Sequence, residues 1–354
     1  MQGDNHYVPG TGGTAGPGTS GPGNSEREKP ALKVIVLDVD GAVIRQQRLM
    51  AQYQPIVVPL QERSEALRYW CRVEEMEAVR QLLVSTVGSV KGAVIFYGSG
   101  DYHHLAWLGI SLMDEPLTVI HFDNHCDFWR TPRRRYTHFG HWVVEVLKLP
   151  HVRRVIQLGI DGDFDMSKET PFPMGPIGQE MDLLCDGKVE VYPNAMRCST
   201  LLWRLRATLP CVEFEPGLLT TRATWKNMRD HGGIEAALNR ILPTLPTEAV
   251  YLTIDKDSLR ESDNFAAYPG RQGTLTLDEL LAAISLLGKQ KRIVGVDVCG
   301  DGSLFVAGGR PLKRLVAWLK DSEIPLAAFS SPENIQLNEN ANLKILARLA
   351  EAQA

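Results

Sequence analysis

Short apolar runs recur along this chain with a helix-length gap between most of them, and that alternation decides the class of fold open to it. The runs occupy residues 32–37, 93–97, 117–122, 155–160, 249–254 and 293–298, with a weaker one at 189–192. Within each, apolar residues fall on both alternating positions, the pattern of a strand buried on two faces. Periodic segments at 65–87, 139–148, 234–242, 277–288, 311–320 and 342–352 predict helices between and after them. Thr276 followed by Glu279 is a capping box that starts the 277–288 helix. Parallel strands need a crossover, normally a helix, so the sequence predicts an α/β fold: a three-layer α/β/α sandwich around a mainly parallel sheet.

Residues 1–30 are mostly Gly, Pro, Thr, Ser and Asn, a composition that buries too little surface to offset the entropy of ordering it. They are read as a disordered tail and residues 31–354 as a single domain. Within that domain 161–216, rich in Pro, Gly and Met, is read as a long insertion or loop region. The formal net charge of −4 supplies no long-range field to collect nucleic acid or an anionic membrane. No run approaches the roughly 20 apolar residues of a bilayer span, and residues 1–25 lack the basic start and apolar core of a signal peptide. A cytoplasmic protein without nucleic-acid or membrane partners is expected, with homo-oligomerisation left open. Cys71, Cys126, Cys185, Cys198, Cys211 and Cys299 form no C-x-x-C pair and are read as reduced thiols without a chemical task.

Two words carry hard ligands directly after apolar strands: His121-Phe122-Asp123-Asn124-His125-Cys126-Asp127 and Asp255-Lys256-Asp257. Open α/β sheets keep their sites at this carboxyl end of the strands. Residues two apart in extended chain point the same way, so Asp123, His125 and Asp127 can converge, as can Asp255 and Asp257. A third strand end, Gly98-Ser99-Gly100-Asp101-Tyr102-His103-His104, offers another imidazole. One Asp-x-Asp alone is ordinarily an N-cap or solvated turn, and one His a half-buried ring. Three such words at three strand ends point to a metal site with donors enough for two ions. Carboxylate and imidazole together suit Mn²⁺, Fe²⁺ or Zn²⁺ better than Ca²⁺.

These words resemble those of the ureohydrolase superfamily of arginases, agmatinases and their relatives, over most of residues 31–345 in element order and specifically at the motifs. Residues 98–103 look like a stretched form of that family's Gly-Gly-Asp-His, residues 123–127 match its Asp-Ala-His-x-Asp, and residues 255–257 match its Asp-x-Asp. The resemblance implies an arginase-like fold and a metal set of His103 (His104 as fallback), Asp123, His125, Asp127, Asp255 and Asp257. It implies two Mn²⁺ as cofactor, with Zn²⁺, Fe²⁺ or Ni²⁺ as alternatives. It also implies hydrolysis of a C–N bond in a small guanidino compound or an arginine-containing peptide. A catalytic His in the corresponding family loop points to His138 as proton relay, with His141 second.

Departures from the pattern matter as much. The family's later strand ends in a Glu that accepts guanidinium hydrogen bonds, and Gly300 stands at that position. Asp301 and Asp297 are the candidates to replace it. Arg133-Arg134-Arg135 reads as a solvated basic loop, with recognition of an acidic substrate as the alternative. His103-His104 gives a foothold to a Zn²⁺-dependent deacetylase-like reading. Leu37-Asp38-Val39-Asp40 looks like the nucleophile motif of haloacid-dehalogenase phosphatases, which would use Asp38 and Asp40. A metal-free binding scaffold is the non-catalytic alternative.

Overall fold

A computed structural model of the chain describes residues 32–128, 135–161, 183–184, 186–195, 198–202, 212–216, 218, 221–266, 272–303, 311–315 and 326–353. The residues expected to form the tail lie outside these, as do Arg133, Arg134 and most of 161–182. Eight strands build one sheet: β1 (Val34–Asp38), β2 (Ile56–Pro59), β3 (Val94–Phe96), β4 (Leu117–Phe122), β5 (Val152–Leu158), β6 (Val189–Tyr192), β7 (Ala249–Asp255) and β8 (Arg292–Cys299). Their order is β2-β1-β3-β8-β7-β4-β5-β6, and every pairing is parallel.

Side chains alternate between two cores, with register shifts interrupting the alternation in β5 and β8. Leu117 and Val119 face one cluster with the helices Val73–Val87, Ala106–Ser111 and Trp142–Val146, while Ile120 and Phe122 face the other with Gly233–Ile241, Leu277–Gln290 and Pro332–Ala352. The expected α/β/α sandwich is therefore present, with helices on both faces of a parallel sheet. On β7, Tyr251 joins the first core while Val250, Leu252 and Ile254 join the second. Asp255, two residues beyond Thr253 and four beyond Tyr251, emerges on the first face, as do His121 and Asp123 beyond Val119 on β4.

β3 and β4 are consecutive along the chain, yet β8 and β7 lie between them in the sheet. The crossovers diverge there, and open sheets of this kind leave a crevice at the carboxyl ends where they do so. All three ligand words end strands of that central group.

Four expectations are corrected. The predicted 65–87 helix is broken into Ser64–Leu67, a strand Trp70–Arg72 and the helix Val73–Val87. Tyr69 takes a left-handed φ of 63°, and Trp70–Arg72 pairs antiparallel with Tyr136–His138, so tertiary pairing overrides helical periodicity. That pairing also shortens the 139–148 helix to Trp142–Val146. Beyond the weak strand expected at 189–192, which is β6, the stretch read as loop contains Cys198–Leu202 and Val212–Pro216, which form a three-stranded antiparallel sheet with Thr221–Trp225. The last helix runs from Pro332, not 342, because its first half buries Asn338 and Glu339 rather than apolar residues. Among the described residues no helix is long and apolar enough to cross a membrane.

The capping box is present: the Thr276 hydroxyl accepts from Glu279 N at 3.1 Å, and Glu279 Oε2 accepts from Thr276 N at 2.7 Å. Thr276→Ala removes the hydroxyl half and is expected to lower stability by about 1 kcal/mol, read as a shifted denaturation midpoint with unchanged slope.

Candidate metal centre

The 3₁₀ turn Gly100–Leu105 after β3 carries His103 over the carboxyl ends of β4 and β7. His103 Nδ1 lies 3.0 Å from Asp123 Oδ2, 3.0 Å from Asp127 Oδ2 and 3.5 Å from Asp255 Oδ2. On the opposite side of Asp123, His125 Nδ1 lies 3.4 Å from Asp123 Oδ1 and 2.9 Å from Asp257 Oδ2. Asp123 thus turns one oxygen toward each imidazole. All six residues matched to the family's ligand words come together, and a small cavity over them is lined by these six together with Gly100, Asp101, Phe139, Ala266 and Gly300.

The geometry of each ring suits a lone-pair donor. His103 Nε2 sits 3.0 Å from Thr253 Oγ1, whose hydroxyl donates to Asp297 Oδ1 at 2.8 Å. Since that hydroxyl proton goes to Asp297, His103 Nε2 carries the proton shared with Thr253, which leaves Nδ1 as the nitrogen that would face a cation after giving up its own proton. Buried His103 Nδ1 makes no hydrogen bond of acceptable geometry with the oxygens around it. Such second partners of a ligating His fix ring and tautomer.

Electrostatics say the same. Burial, with the Asp123 charge adding to it, pushes Asp127 up to about 7. Burial and the facing carboxylate of Asp257 raise Asp255 well above the usual range, and burial raises Asp257 also. Burial pushes Asp123 up too, but His121, His103 and His125 outweigh it and hold that carboxyl well below the usual range. Burial likewise opposes charge on His103, yet Asp123 and Asp127 hold its ring well above the ordinary value. Four carboxylates sharing one buried site are a costly arrangement that divalent cations relieve.

Several supporting residues were not singled out in the sequence. His121 Nε2 contacts Asp123 Oδ2 at 2.8 Å while Gln157 Nε2 meets its Nδ1 at 3.2 Å, and burial holds the ring at about 4, so it acts as a neutral donor orienting Asp123. Its position two residues before Asp123 on the same strand face was the available signal. Trp142 Nε1 donates to Asp127 Oδ2 at 2.6 Å, and Asp127 itself holds a left-handed φ of 49°. Lys256, between two ligand positions, is fully buried and pairs with Asp301 at 2.7 Å. Gln46 and Asn342 donate to the same carboxylate at 2.9 and 3.2 Å.

That network corrects the expectation at the substrate end. Asp301 is engaged by Lys256, and Asp297 by Tyr97 at 2.6 Å and Thr253, so neither replaces the carboxylate that Gly300 lacks. Gly300 has φ 88°, and a Cβ there would stand 2.4 Å from Asp255 Oδ1. The backbone of β8 is packed directly against a ligand position, where only glycine fits. His104 is buried but does not line the cavity, and burial together with His138 depresses its ring to about 3. His138 and His141 stack at 5.4 Å beside the cluster; the cavity itself is lined by Phe139 between them, and His141 Nε2 meets Glu145 at 3.1 Å. Asp40 accepts from Ala42 N and Ser99 N, each at 3.0 Å, and Asp38 from Gly41 N at 3.1 Å, so both hold the turn after β1 outside the cavity lining.

No protein-family model matches the chain. An uncharacterized protein of Thermotoga maritima is 27% identical over 126 residues, 36% of this chain and 48% of that relative, so the chain spans about half the length of the curated relative it matches. Solved structures extend further. Formimidoylglutamase from Bacillus subtilis is similar with a TM-score of 0.51 at 14% identity, covering 90% of this chain and 86% of that one. Arginase from Medicago truncatula gives 0.51 at 15% identity over 91% and 87%. Proclavaminate amidino hydrolase from Streptomyces clavuligerus gives 0.50 at 15% over 92% and 94%. The chain has the ureohydrolase fold. Its similarity to individual members is confined to that architecture.

Two outcomes are expected. Because Asp127 stands at about 7, Asp255 is held well above the usual carboxylate range and the His103 ring well above its ordinary value, a divalent ion binding here would displace protons. Below pH 7 affinity should fall about tenfold per pH unit for each proton displaced, and calorimetry in buffers of different ionisation enthalpy should show proton release. pH-independent binding without release would refute this account. Lys256→Met strands Asp301 in the interior and should cost about 3–5 kcal/mol in a denaturant titration, much of it recovered in Lys256→Met/Asp301→Leu.

Proposed function

We propose that the chain is a dinuclear-metal hydrolase of the ureohydrolase superfamily, a divergent member that cleaves a C–N bond of a guanidino or related amidine group. The observation carrying this reading is Asp123, whose two oxygens face two separate donor sets: His103 with Asp127 on one side, His125 with Asp257 on the other. Asp255, between them in the cavity wall, is the second bridging candidate. These donors match Mn²⁺ and its divalent neighbours, and a bound pair would supply Lewis acidity and a water acidic enough to ionise near neutral pH.

The chain's own residues set up the rest. His121 and Trp142 hold Asp123 and Asp127 in place, and Thr253 with Asp297 holds His103. Phe139 and Ala266 form the apolar part of the wall and limit the water around the reacting carbon. The leaving amine needs a proton, and His138, half-buried beside Phe139, is the proposed relay. His141 is second because its Nε2 already meets Glu145. Without a carboxylate at 300, a guanidinium would have to be recognised by a route other than the end of β8, and the substrate, a small guanidino compound or an arginine within a peptide, stays open.

The deacetylase-like reading draws no support from His104, which lies outside the cavity lining, and the phosphatase reading none from Asp38 and Asp40. Metal analysis should return close to two ions per chain, and a panel of guanidino compounds and arginine-containing peptides should reveal urea release. Asp123→Ala should abolish both metal content and turnover, whereas Cys126→Ala, altering a buried core thiol, should preserve both. Equal loss in the two variants, or turnover without metal, would sink the proposal.

A further inference from the structure

Cys299 stands where the metal centre meets the sheet. It ends β8, is fully buried, and pairs in register with Asp255 across the β7–β8 ladder. Asp297, two residues earlier, shares its face and belongs to the layer beneath, where it holds Thr253 and through it His103. Cys299 is not among the residues lining the cavity, but its register with Asp255 puts it in the layer of the ligand residues. Its Sγ, a ring nitrogen of His103 and an Asp255 oxygen all lie within 4.8 Å of one another. His103 Nδ1 is a buried nitrogen without a hydrogen bond and stands 3.5 Å from Asp255 Oδ2.

The buried thiol stands beside the Asp255 carboxylate, a position where sulfur and oxygen donors could share one cation. The second donor set differs: His125, Asp123 and Asp257 bring nitrogen and oxygen alone, and the His125 side chain is 32% exposed. The two halves of the centre are chemically unlike.

Resting on the dinuclear reading above, we propose that Cys299 is a thiolate ligand of the ion held on the His103 side, making that half prefer Zn²⁺, Co²⁺ or Fe²⁺ over Mn²⁺. Thiolate is a soft donor that selects such ions, whereas carboxylate and imidazole alone leave Mn²⁺ competitive. On binding, the S–H bond breaks heterolytically, the electron pair is donated to the ion, and the proton leaves to solvent; nothing is oxidised or reduced.

The test uses the full chain stripped of metal and reloaded with Co²⁺, with ion content measured alongside the spectrum. Wild type should bind close to two Co²⁺ and show a near-ultraviolet sulfur-to-cobalt charge-transfer band beside the visible d–d bands. Cys299→Val should keep the d–d bands and lose the charge-transfer band. Its preference for Zn²⁺ over Mn²⁺ in competition should fall by about tenfold or more, since loss of even an outer partner of a ligand costs 10–100-fold. X-ray absorption at the zinc edge of the Zn²⁺-loaded wild type needs no variant and should show a sulfur scatterer at about 2.3 Å. Two bound ions with no charge-transfer band and no sulfur scatterer would overturn the thiolate while leaving the dinuclear site standing. A band that survives Cys299→Val would assign the sulfur to another residue and overturn it equally. Failure of wild type to bind metal at all would remove the dinuclear reading and this proposal together.

Discussion

Repulsion among four buried carboxylates is the constraint around which this molecule is arranged. Asp123, Asp127, Asp255 and Asp257 are each 5% exposed or less, and they face one another across a cavity at the carboxyl ends of β4 and β7. A fold tolerates such a cluster only with compensation close by. Part of it comes from His103 and His125, which contact the carboxylates directly, and from His121 and Trp142, which donate to individual oxygens. Backbone supplies more: His125 N and Asp257 N donate to Asp123 and Asp255 at 2.6 and 3.0 Å. That balance remains incomplete without a cation, which is why burial still drives Asp127 and Asp255 upward while Asp123, enclosed by three imidazoles, goes down.

Much of this was legible from the amino-acid order because the signals are local. Parallel strands buried on both faces announce themselves as unbroken apolar runs, and a two-residue period then fixes which side chains leave a strand end together. Both rules act within a few residues, so the sandwich and the six ligand positions followed from them with the family resemblance. The edge strand β2 escaped notice because Ile56 and Val57 are over a third exposed and the run is short. The start of the last helix was hidden by polar burial. Asn338 bonds both backbone groups of Phe265, and Glu339 pairs with Arg48 at 2.7 Å, so positions that face the interior carry polar residues. Non-local pairing leaves no periodic trace.

The same reasoning explains why Lys256 and Asp301 could not be interpreted alone. In sequence Lys256 is an ordinary charge inside an Asp-x-Asp word, and Asp301 an acid beside a vacant substrate position. In space they form one ion pair, buried with Gln46 and Asn342, that ties the β7 end to the β8 end and to the last helix. Gly300 completes this join: a Cβ there would run into Asp255 Oδ1 and the amides of Lys256 and Asp257, and Asn264 clamps the carbonyls of both Lys256 and Gly300. The end of β8 has thus become part of the ligand scaffold rather than part of a substrate-recognition wall.

A carboxylate at position 300 and a tight Asp255–Gly300 contact exclude one another sterically, since any Cβ at 300 would collide with the ligand oxygen. The absence of a carboxylate at 300 and the buried ion pair next to it are therefore two aspects of one arrangement: the six donors have Lys256 and Asp301 behind them, and Gly100, Gly300 and Ala266 are small residues in the wall around them. The donors sit at strand ends, whereas the apolar wall residues Phe139 and Ala266 come from connections between elements, so the wall can vary without disturbing the sheet that positions the donors.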